Sequence, residues 1–350
     1  MAVYQVLPGP EATELACYFG LLSRGRFGAL LGGLGFILPG FILSMILAWA
    51  YDTYGVVDPK LESTMRGLEA IVSAILFRAI DKLAEHAFQD ANTKRFSFLL
   101  AAYGFLAFVM TVLRINFFIT LAVCGILHML ISFNKVWTKA LAGIFSLCCL
   151  AGFIVYVYFL GLPSETNLGT GLTLGNSLWG LFLLALLAGL LTFGGAYTCI
   201  PFVYADVVIN SGWLTEDQFL HIIAITSLLP TPLVMFVTFI GFIGAQVPGA
   251  ILMTLGIFLP AFSFTLIGHW LFEKVVDSKI IAPFLDGVTA GVIGLVAETA
   301  FQFTKKAIKT PLGVVAFCLA LGALYRYPHP STQTIVIVVG AVASVVLFEV

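Results

Sequence analysis

Two proline triplets, Pro8-Gly9-Pro10 and Pro230-Thr231-Pro232, are the residues whose type and spacing constrain the chemistry most. A proline lacks a backbone donor and clashes with the preceding turn, so each triplet must interrupt a helix rather than sit inside one. Within a bilayer such a break is tolerated only where it is buried in protein or lines a wet cavity. The helix that restarts after it offers unpaired N–H groups and the positive end of its dipole, which suits an anion. Phe193-Gly194-Gly195, ahead of Ala196-Tyr197, gives a further break, because paired glycines reach unusual dihedrals and can present consecutive amides to an anion. The competing readings are a Pro-kinked packing helix for a triplet and small-residue helix packing for the glycine pair. Gly28-x-x-x-Gly32 and Gly287-x-x-x-Gly291 fit that packing role better than a site.

Ionisable candidates are few. Glu11 and Glu14 fall in the first turns after Pro10, where carboxylates stabilise a helix start. The alternative role is proton coupling, which an ionisable group at membrane depth often serves. Glu69 and Glu298, in apolar surroundings, carry the same two readings. Carboxylates repel anions, so none of these is a direct anion ligand. Arg24 and Arg26 either draw anions to a mouth or set topology. Asp206, Glu216 and Asp217 flank a turn and are expected to face water. His221 and His269 are of the one residue type suited to a switch at physiological pH, but are more often packing residues. No metal-ligand spacing, G-x-S-x-G elbow or phosphate loop is present. An intramembrane enzyme would rest on isolated residues such as Ser227 and His221, and no cofactor is expected.

The triplets belong to a longer unit that occurs twice, about 220 residues apart. The first copy runs from Leu7-Pro8-Gly9-Pro10 through Gly28-Ala29 and Phe36-Ile37-Leu38-Pro39 to Trp49. The second runs from Leu229-Pro230-Thr231-Pro232 through Gly249-Ala250 and Ile257-Phe258-Leu259-Pro260 to Trp270. The interval from Gly28 to Trp49 equals that from Gly249 to Trp270. A duplicated, Pro-interrupted apolar unit marks a transporter built from two related halves.

Hydropathy predicts membrane segments near 11–23, 27–51, 64–88, 96–113, 115–132 and 137–160. A second set follows near 177–199, 219–243, 249–272, 282–304, 312–325 and 334–349. Counting from 27–51 to 249–272 gives an odd shift, which predicts inverted halves. With the Arg24/Arg26 turn in the cytosol, alternating spans put Arg78, Lys82, Lys94, Arg95, Lys135 and Lys139 on that side. Lys60, Arg66 and Arg114 then lie opposite.

Composition sets the class. Hydrophobic residues make up 60% of the chain and charged ones 10%, with a mean hydropathy of +1.06. A soluble domain of this size carries far more charge. A formal net charge of −1 leaves no basic surface for nucleic acid. Cys17, Cys124, Cys148, Cys149, Cys199 and Cys318 all lie in apolar runs and read as packed thiols without a disulfide framework. No cleavable signal peptide precedes the motif. The expected fold is an all-α polytopic integral membrane protein of about 10–12 transmembrane or re-entrant helices in two homologous, inverted halves.

Gln5-Val6-Leu7-Pro8-Gly9-Pro10-Glu11-Ala12, with Leu15-Ala16-Cys17-Tyr18 and Phe36-Ile37-Leu38-Pro39-Gly40 after it, resembles the chromate ion transporter family. So does Phe193-Gly194-Gly195-Ala196-Tyr197, with Ile200-Pro201, Gly212-Trp213-Leu214-Thr215, Phe219 and Leu228-Leu229-Pro230. The resemblance covers both halves: 1–135, then a linker helix and loop over 136–176, then 177–350. It implies a proton-motive-force-linked carrier, read as an antiporter, of chromate and in second place sulfate, in the plasma membrane or an organelle membrane, with two chains able to pair. On this resemblance Pro8, Gly9, Pro10, Phe193, Gly194, Gly195, Pro230, Thr231 and Pro232 hold the anion, while Glu11, Glu14, Arg24, Arg26, Glu69 and Glu298 couple protons or gate.

Two departures from the family pattern stand out. Family halves carry a Phe-Gly-Gly segment before each proline triplet, yet only seven residues precede Pro8, as if the first half lacked its opening span. Thr231 replaces the glycine between the prolines of the second triplet; its hydroxyl still donates to an oxyanion but narrows backbone access. A non-transporting remnant that keeps the fold as a structural or partner-binding protein is the competing reading.

Overall fold

The computed structural model describes residues 9–55, 59–89, 96–133, 144, 175–192, 195–229, 231–267, 278, 281–308 and 310–347. Its helices are α1 (Glu11–Tyr54), α2 (Pro59–Ala87), α3 (Phe98–Val112), α4 (Phe117–Ser132), α5 (Leu178–Leu190) and α6 (Ile200–Tyr204). They continue as α7 (Glu216–Ser227), α8 (Phe236–Ile267), α9 (Ile281–Ala307), α10 (Pro311–Arg326) and α11 (Pro330–Leu347). Short 3-10 turns occupy Ala196–Cys199 and Leu233–Met235, and a π-turn occupies Ala205–Asn210. Side-chain oxygens of Ser97, Asn116, Ser177, Thr215 and Thr310 accept backbone N–H groups at the starts of α3, α4, α5, α7 and α10. Each such cap contributes about 1 kcal/mol. No strand occurs among the described residues, and the expected all-α fold stands.

The repeated unit is a helical hairpin. Arg24 and Gly25 leave helical geometry in α1, with φ/ψ of −144/32 and 61/−152, and the chain turns back on itself there. Ala245 and Gln246 do the same in α8, at −153/36 and 53/−146. The arms close on glycine in both copies. A Cβ on Gly28 would lie 2.1 Å from the carbonyl oxygen of Gly20, and one on Gly249 would lie 2.2 Å from that of Gly241. Further down, Gly33 sits against the Cys17 sulfur, where the second hairpin has a hydrogen bond of 2.7 Å between the hydroxyls of Thr238 and Thr254. Gly32 packs on the Ala16 carbonyl, so Gly28 and Gly32 are packing residues.

The two hairpins pack on each other, α1 against α8. Gln246 at the tip of the second donates to Asp52 at 3.0 Å. Asp52 lies at the far end of the α1 arm that begins at the first tip, about 40 Å away at 1.5 Å per residue. The two tips therefore sit at opposite ends of the pair.

The remaining helices are exchanged between the halves. α3 and α4 follow α2 in sequence but pack on α9; α10 and α11 follow α9 but pack on α2. Close approach again depends on small residues. A Cβ on Gly294 would lie 2.1 Å from the Gly104 carbonyl oxygen, and one on Gly287 2.6 Å from that of Cys124. The exchange is reciprocal in size as well, with Ile71 of α2 against Gly340 of α11 and Gly291 of α9 against Leu121 of α4.

Apolar side chains face outward in rows at helical spacing, among them Leu30, Leu34, Leu38, Ile42 and Ile46 on α1 and Val247, Ile251, Leu255 and Leu259 on α8. Such a surface suits lipid or another apolar protein face. Three described stretches, Ala12–Tyr54, Leu233–Leu266 and Ile281–Ala307, are long and apolar enough to cross a membrane.

The segment expected as one span over 219–243 is two helices: α7 ends at Ser227 and α8 begins at Phe236, because the second proline triplet lies between them. Asp206, expected in water, is buried in the π-turn and accepts a hydrogen bond of 2.8 Å from Asn210 Nδ2. The expected span 137–160 lies outside the described residues apart from Ile144, and so do Lys94, Arg95, Lys135, Lys139, Cys148, Cys149, His269 and Trp270. The side chain of Lys60 also lies outside the description.

Candidate functional site

The interruptions predicted from sequence meet in one place. Gly9 adopts φ 141, a conformation that favours glycine, and its N–H donates to the Thr192 carbonyl at 2.8 Å. Pro10 then caps α1, its carbonyl accepting the Thr13 N–H at 2.9 Å. Thr192 stands immediately before Phe193-Gly194-Gly195, and Gly195 repeats the conformation of Gly9 with φ 142. The 3-10 turn Ala196–Cys199 that follows packs against the 3-10 turn Leu233–Met235, which restarts the chain after Thr231 and Pro232. Thr192 and the turn after Gly195 thus connect the helix starts of both copies.

The contacts at the two starts are reciprocal. A Cβ on Gly9 would lie 3.4 Å from the Cβ of Ala261, the residue after Pro260. A Cβ on Gly40, the residue after Pro39, would lie 3.1 Å from the Cβ of Thr231. Each helix start therefore rests on the proline-bearing arm of the other hairpin, as in a two-fold arrangement. Gly40 is about 20 Å from the Gly25 tip at 1.5 Å per residue, near the middle of its arm. That depth is where broken helices hold the substrates of carriers.

Four hydroxyls lie in or near the breaks. Among the described residues, the side-chain oxygens of Thr13, Ser44, Thr226 and Thr231 are buried and have no hydrogen-bond partner. Thr13 lies in the first turn of α1, and Thr231 in the second triplet. Ser44 is one turn beyond Gly40 on the same side of α1, and Thr226 lies in the last turn of α7. A buried hydroxyl left without a partner costs about 1–3 kcal/mol, which a ligand accepting its proton would offset. A tetrahedral oxyanion is such a ligand. Neighbouring hydroxyls are already committed, Thr192 to Ala188 O at 2.6 Å and Thr198 to Gly195 O at 2.7 Å.

Of the predicted anion-holding residues, Gly9, Pro10, Gly195, Thr231 and Pro232 come together here; Pro8, Phe193, Gly194 and Pro230 lie outside the described residues. Glu14 is 1% exposed and packs against Gly9, where an added Cβ would lie 2.7 Å from its Oε1. The side chain of Glu11 lies outside the description. Arg24 and Arg26 are exposed at the hairpin tip, about 20 Å from the helix start. Glu298 is buried on α9 and accepts from Gln302.

Glu69 has a partner that sequence reasoning missed. Its Oε1 lies 3.3 Å from Nε2 of His221, and Nδ1 of the same ring lies 3.3 Å from the Tyr51 hydroxyl. Neutral His221 satisfies both contacts if Tyr51 donates to Nδ1 and Nε2–H donates to Glu69. A second proton turns Nδ1 into a donor and reverses the Tyr51 hydrogen bond. His221 stands on α7, the helix that runs into the second break. T-shaped contacts of Tyr204 with Phe219 (5.2 Å) and Phe303 (5.1 Å), and of Phe219 with Phe236, lock α7 between its neighbours. Lys306 of α9 holds its start, pairing with Asp217 and, at 3.5 Å, with Glu216.

Thr13, Ser44, Thr192 and Thr226 were also absent from the sequence reading. The one signal for them was a hydroxyl inside an apolar run near a break, which does not separate a ligand from a helix-packing threonine. No group of His, Cys, Asp and Glu among the described residues is spaced to hold a metal ion.

A family model described as Chromate transporter matches residues 1–129 and 179–345. The chain is 37% identical to a chromate transport protein of Pseudomonas aeruginosa over 99% of its own length and 82% of the relative's. It is 28% identical to a probable chromate transport protein of Synechococcus elongatus, covering 100% of this chain and 84% of the other. A chromate transport protein of Cupriavidus metallidurans is also 28% identical, covering 88% of this chain and 72% of the relative. No solved structure matches.

Proposed function

This chain belongs to the chromate transporter family, a family of multi-pass membrane transporters and not of enzymes, and on that premise we propose that it is a secondary carrier of chromate coupled to the proton gradient. The observation that carries the reading is the Gly9 N–H bond to Thr192, which brings the first proline triplet to the glycine segment and, through it, to the second triplet. The oxyanion binds where the breaks converge, held by the hydroxyls of Thr13 and Thr231 and by the helix starts at Pro10 and Pro232. Gly195 completes the site among the described residues, and the sequence motifs assign Pro8, Phe193, Gly194 and Pro230 to the same role. Because each hydroxyl recognises an oxygen and not the central atom, sulfate is the second cargo.

Protons are carried by carboxylates near this path. Glu14, beside Gly9, and Glu69, paired with His221, are the best placed; Glu11 and Glu298 are the remaining candidates, and Arg24 and Arg26 act at the tip as topology-setting charges. Exchange of the oxyanion against protons makes the carrier an antiporter of the plasma membrane. The opposed hairpin tips and the exchanged helix pairs support two inverted halves, 1–135 and 177–350, joined by 136–176, that rock against each other around the site. The exposed face of α1 is where a second copy would pack.

The test is chromate flux into proteoliposomes holding the full chain. Flux that requires a proton gradient supports the reading. Flux unchanged after the gradient is collapsed overturns the coupling, and no flux of chromate or sulfate overturns the carrier.

A further inference from the structure

Beside Tyr197 lies a cavity of about 80 Å³, whose polar lining also includes Arg78, Lys82, His329, Thr332 and Gln333. Tyr197 ends the Phe193–Tyr197 motif, so this cavity and the convergent breaks share a wall. Its hydroxyl accepts a hydrogen bond of 2.7 Å from Gln333 Nε2, which ties the motif to α11. Arg78 donates from one Nη to Asp81 and stacks over Tyr325 at 4.6 Å, while its Nε–H is buried with no acceptor among the described residues. Lys82, one turn further along the same face of α2, is exposed. Arg78 and Lys82 together outweigh Asp81, so the cavity carries net positive charge. A water needs on the order of 10–15 Å³ of such space, so about five to eight heavy atoms fit, enough for a tetrahedral oxyanion.

The repeat does not reproduce this site. With Gly67 over Gly287, Arg78 stands over Glu298. The exchanged contacts support that register, since Ile71 against Gly340 and Gly291 against Leu121 occupy matching places. Glu298 is buried, accepts from Gln302 and lies in the electrostatic range of Arg114. One half thus offers a cation where the other offers a carboxylate that repels anions.

We propose that Arg78 and Lys82 form a second oxyanion site, a vestibule on one side of the carrier that captures the anion before it reaches the convergent breaks. The proposal rests on the reading of the chain as an oxyanion carrier. Arg78 supplies a fixed fork of donors, and Lys82 draws anions from solvent. Tyr197 and Gln333 separate the vestibule from the inner site.

The experiment compares initial chromate flux against concentration in inside-out and right-side-out vesicles made with the full chain. For a variant carrying R78Q and K82Q, the half-saturating concentration rises about 10-fold when chromate meets the vestibule face, as expected for loss of charge-assisted hydrogen bonds. The maximal rate is kept, and the opposite face is unaffected. K82Q alone, at an exposed position that leaves folding intact, gives a smaller rise that shrinks as salt is added. R78K, which keeps the charge without the fork, falls between wild type and R78Q. An unchanged half-saturation, or an equal rise from both faces, overturns the vestibule while the carrier reading stands. Equilibrium binding of chromate to the purified chain reads the vestibule without transport. Two classes of site, one lost in the double variant, support it, and a single unchanged isotherm overturns it.

Discussion

The amide of Gly9 donates to the carbonyl of Thr192 at 2.8 Å, joining residues 183 positions apart at the start of one repeat and the glycine segment of the other. Gly9 reaches that carbonyl with φ 141, and Glu14 fills the space where a side chain would stand. Substituting Gly9 by alanine forces a conformation that L-residues avoid, costing about 1–3 kcal/mol, and pushes Glu14 aside. Gly9→Ala is expected to lower chromate flux at least 10-fold at unchanged membrane abundance, measured by flux per molecule in proteoliposomes. Full flux would show that Gly9 does not shape the site.

Thr231 tests the hydroxyl chemistry without disturbing volume. Thr231→Val keeps the branch that meets Gly40 and removes the donor. A hydrogen bond to a charged group contributes about 1.5–3 kcal/mol, so the half-saturating chromate concentration should rise about 10- to 100-fold. Thr231→Ser, which keeps the donor, should stay within a few-fold of wild type.

The Tyr51–His221–Glu69 chain predicts a test of proton coupling, because Tyr51, the ring and the carboxylate form a continuous row of proton-carrying groups. If the row carries the coupled proton, Glu69→Gln, which removes one of its members, lowers the dependence of chromate flux on an imposed pH gradient. His221→Asn, which removes the group between Tyr51 and Glu69, should flatten the profile of flux against that gradient. The polar groups in contact with the ring are Tyr51 of α1 and Glu69 of α2. A wild-type profile kept in both variants places the proton elsewhere, with Glu14 next in line.

The hairpin tips carry a stability prediction. Gln246 holds φ 53 with ψ −146, a region that glycine occupies readily, and the equivalent residue of the first hairpin is Gly25. Gln246→Gly relieves that strain but gives up the bond to Asp52, leaving thermal stability within about 1 kcal/mol of wild type. Gly25→Gln introduces the strain without a partner and should destabilise by about 1–3 kcal/mol, read as a lower melting temperature in detergent. For the inverted arrangement, single cysteines at 24 and 246 should be labelled from opposite faces of the membrane. Labelling of both from one face would contradict it.

Much of this arrangement was legible in the sequence. The prolines at 10 and 232 and the glycine at 195 announced breaks, and the doubled unit announced paired structures, because a missing donor and a missing Cβ are local properties. Three things were not legible. The turn at Ala245-Gln246 uses residues without turn preference, and the long-range packing of the hairpin imposes it. The exchange of α3 and α4 with α10 and α11 depends on which small residues meet which carbonyls, a long-range relation that spacing does not encode. His221 read as a packing residue because Tyr51 and Glu69, its partners, lie 170 and 152 positions away.

The proposed carrier requires the convergent breaks to form one oxyanion site. Its most direct test measures flux of chromate, sulfate, phosphate and molybdate in proteoliposomes of wild type and Thr231→Val. Saturable flux of chromate, then sulfate, is expected, dependent on the proton gradient and lower at low concentration in the variant. Equal, non-saturating rates for all four anions, or a variant indistinguishable from wild type, would contradict it.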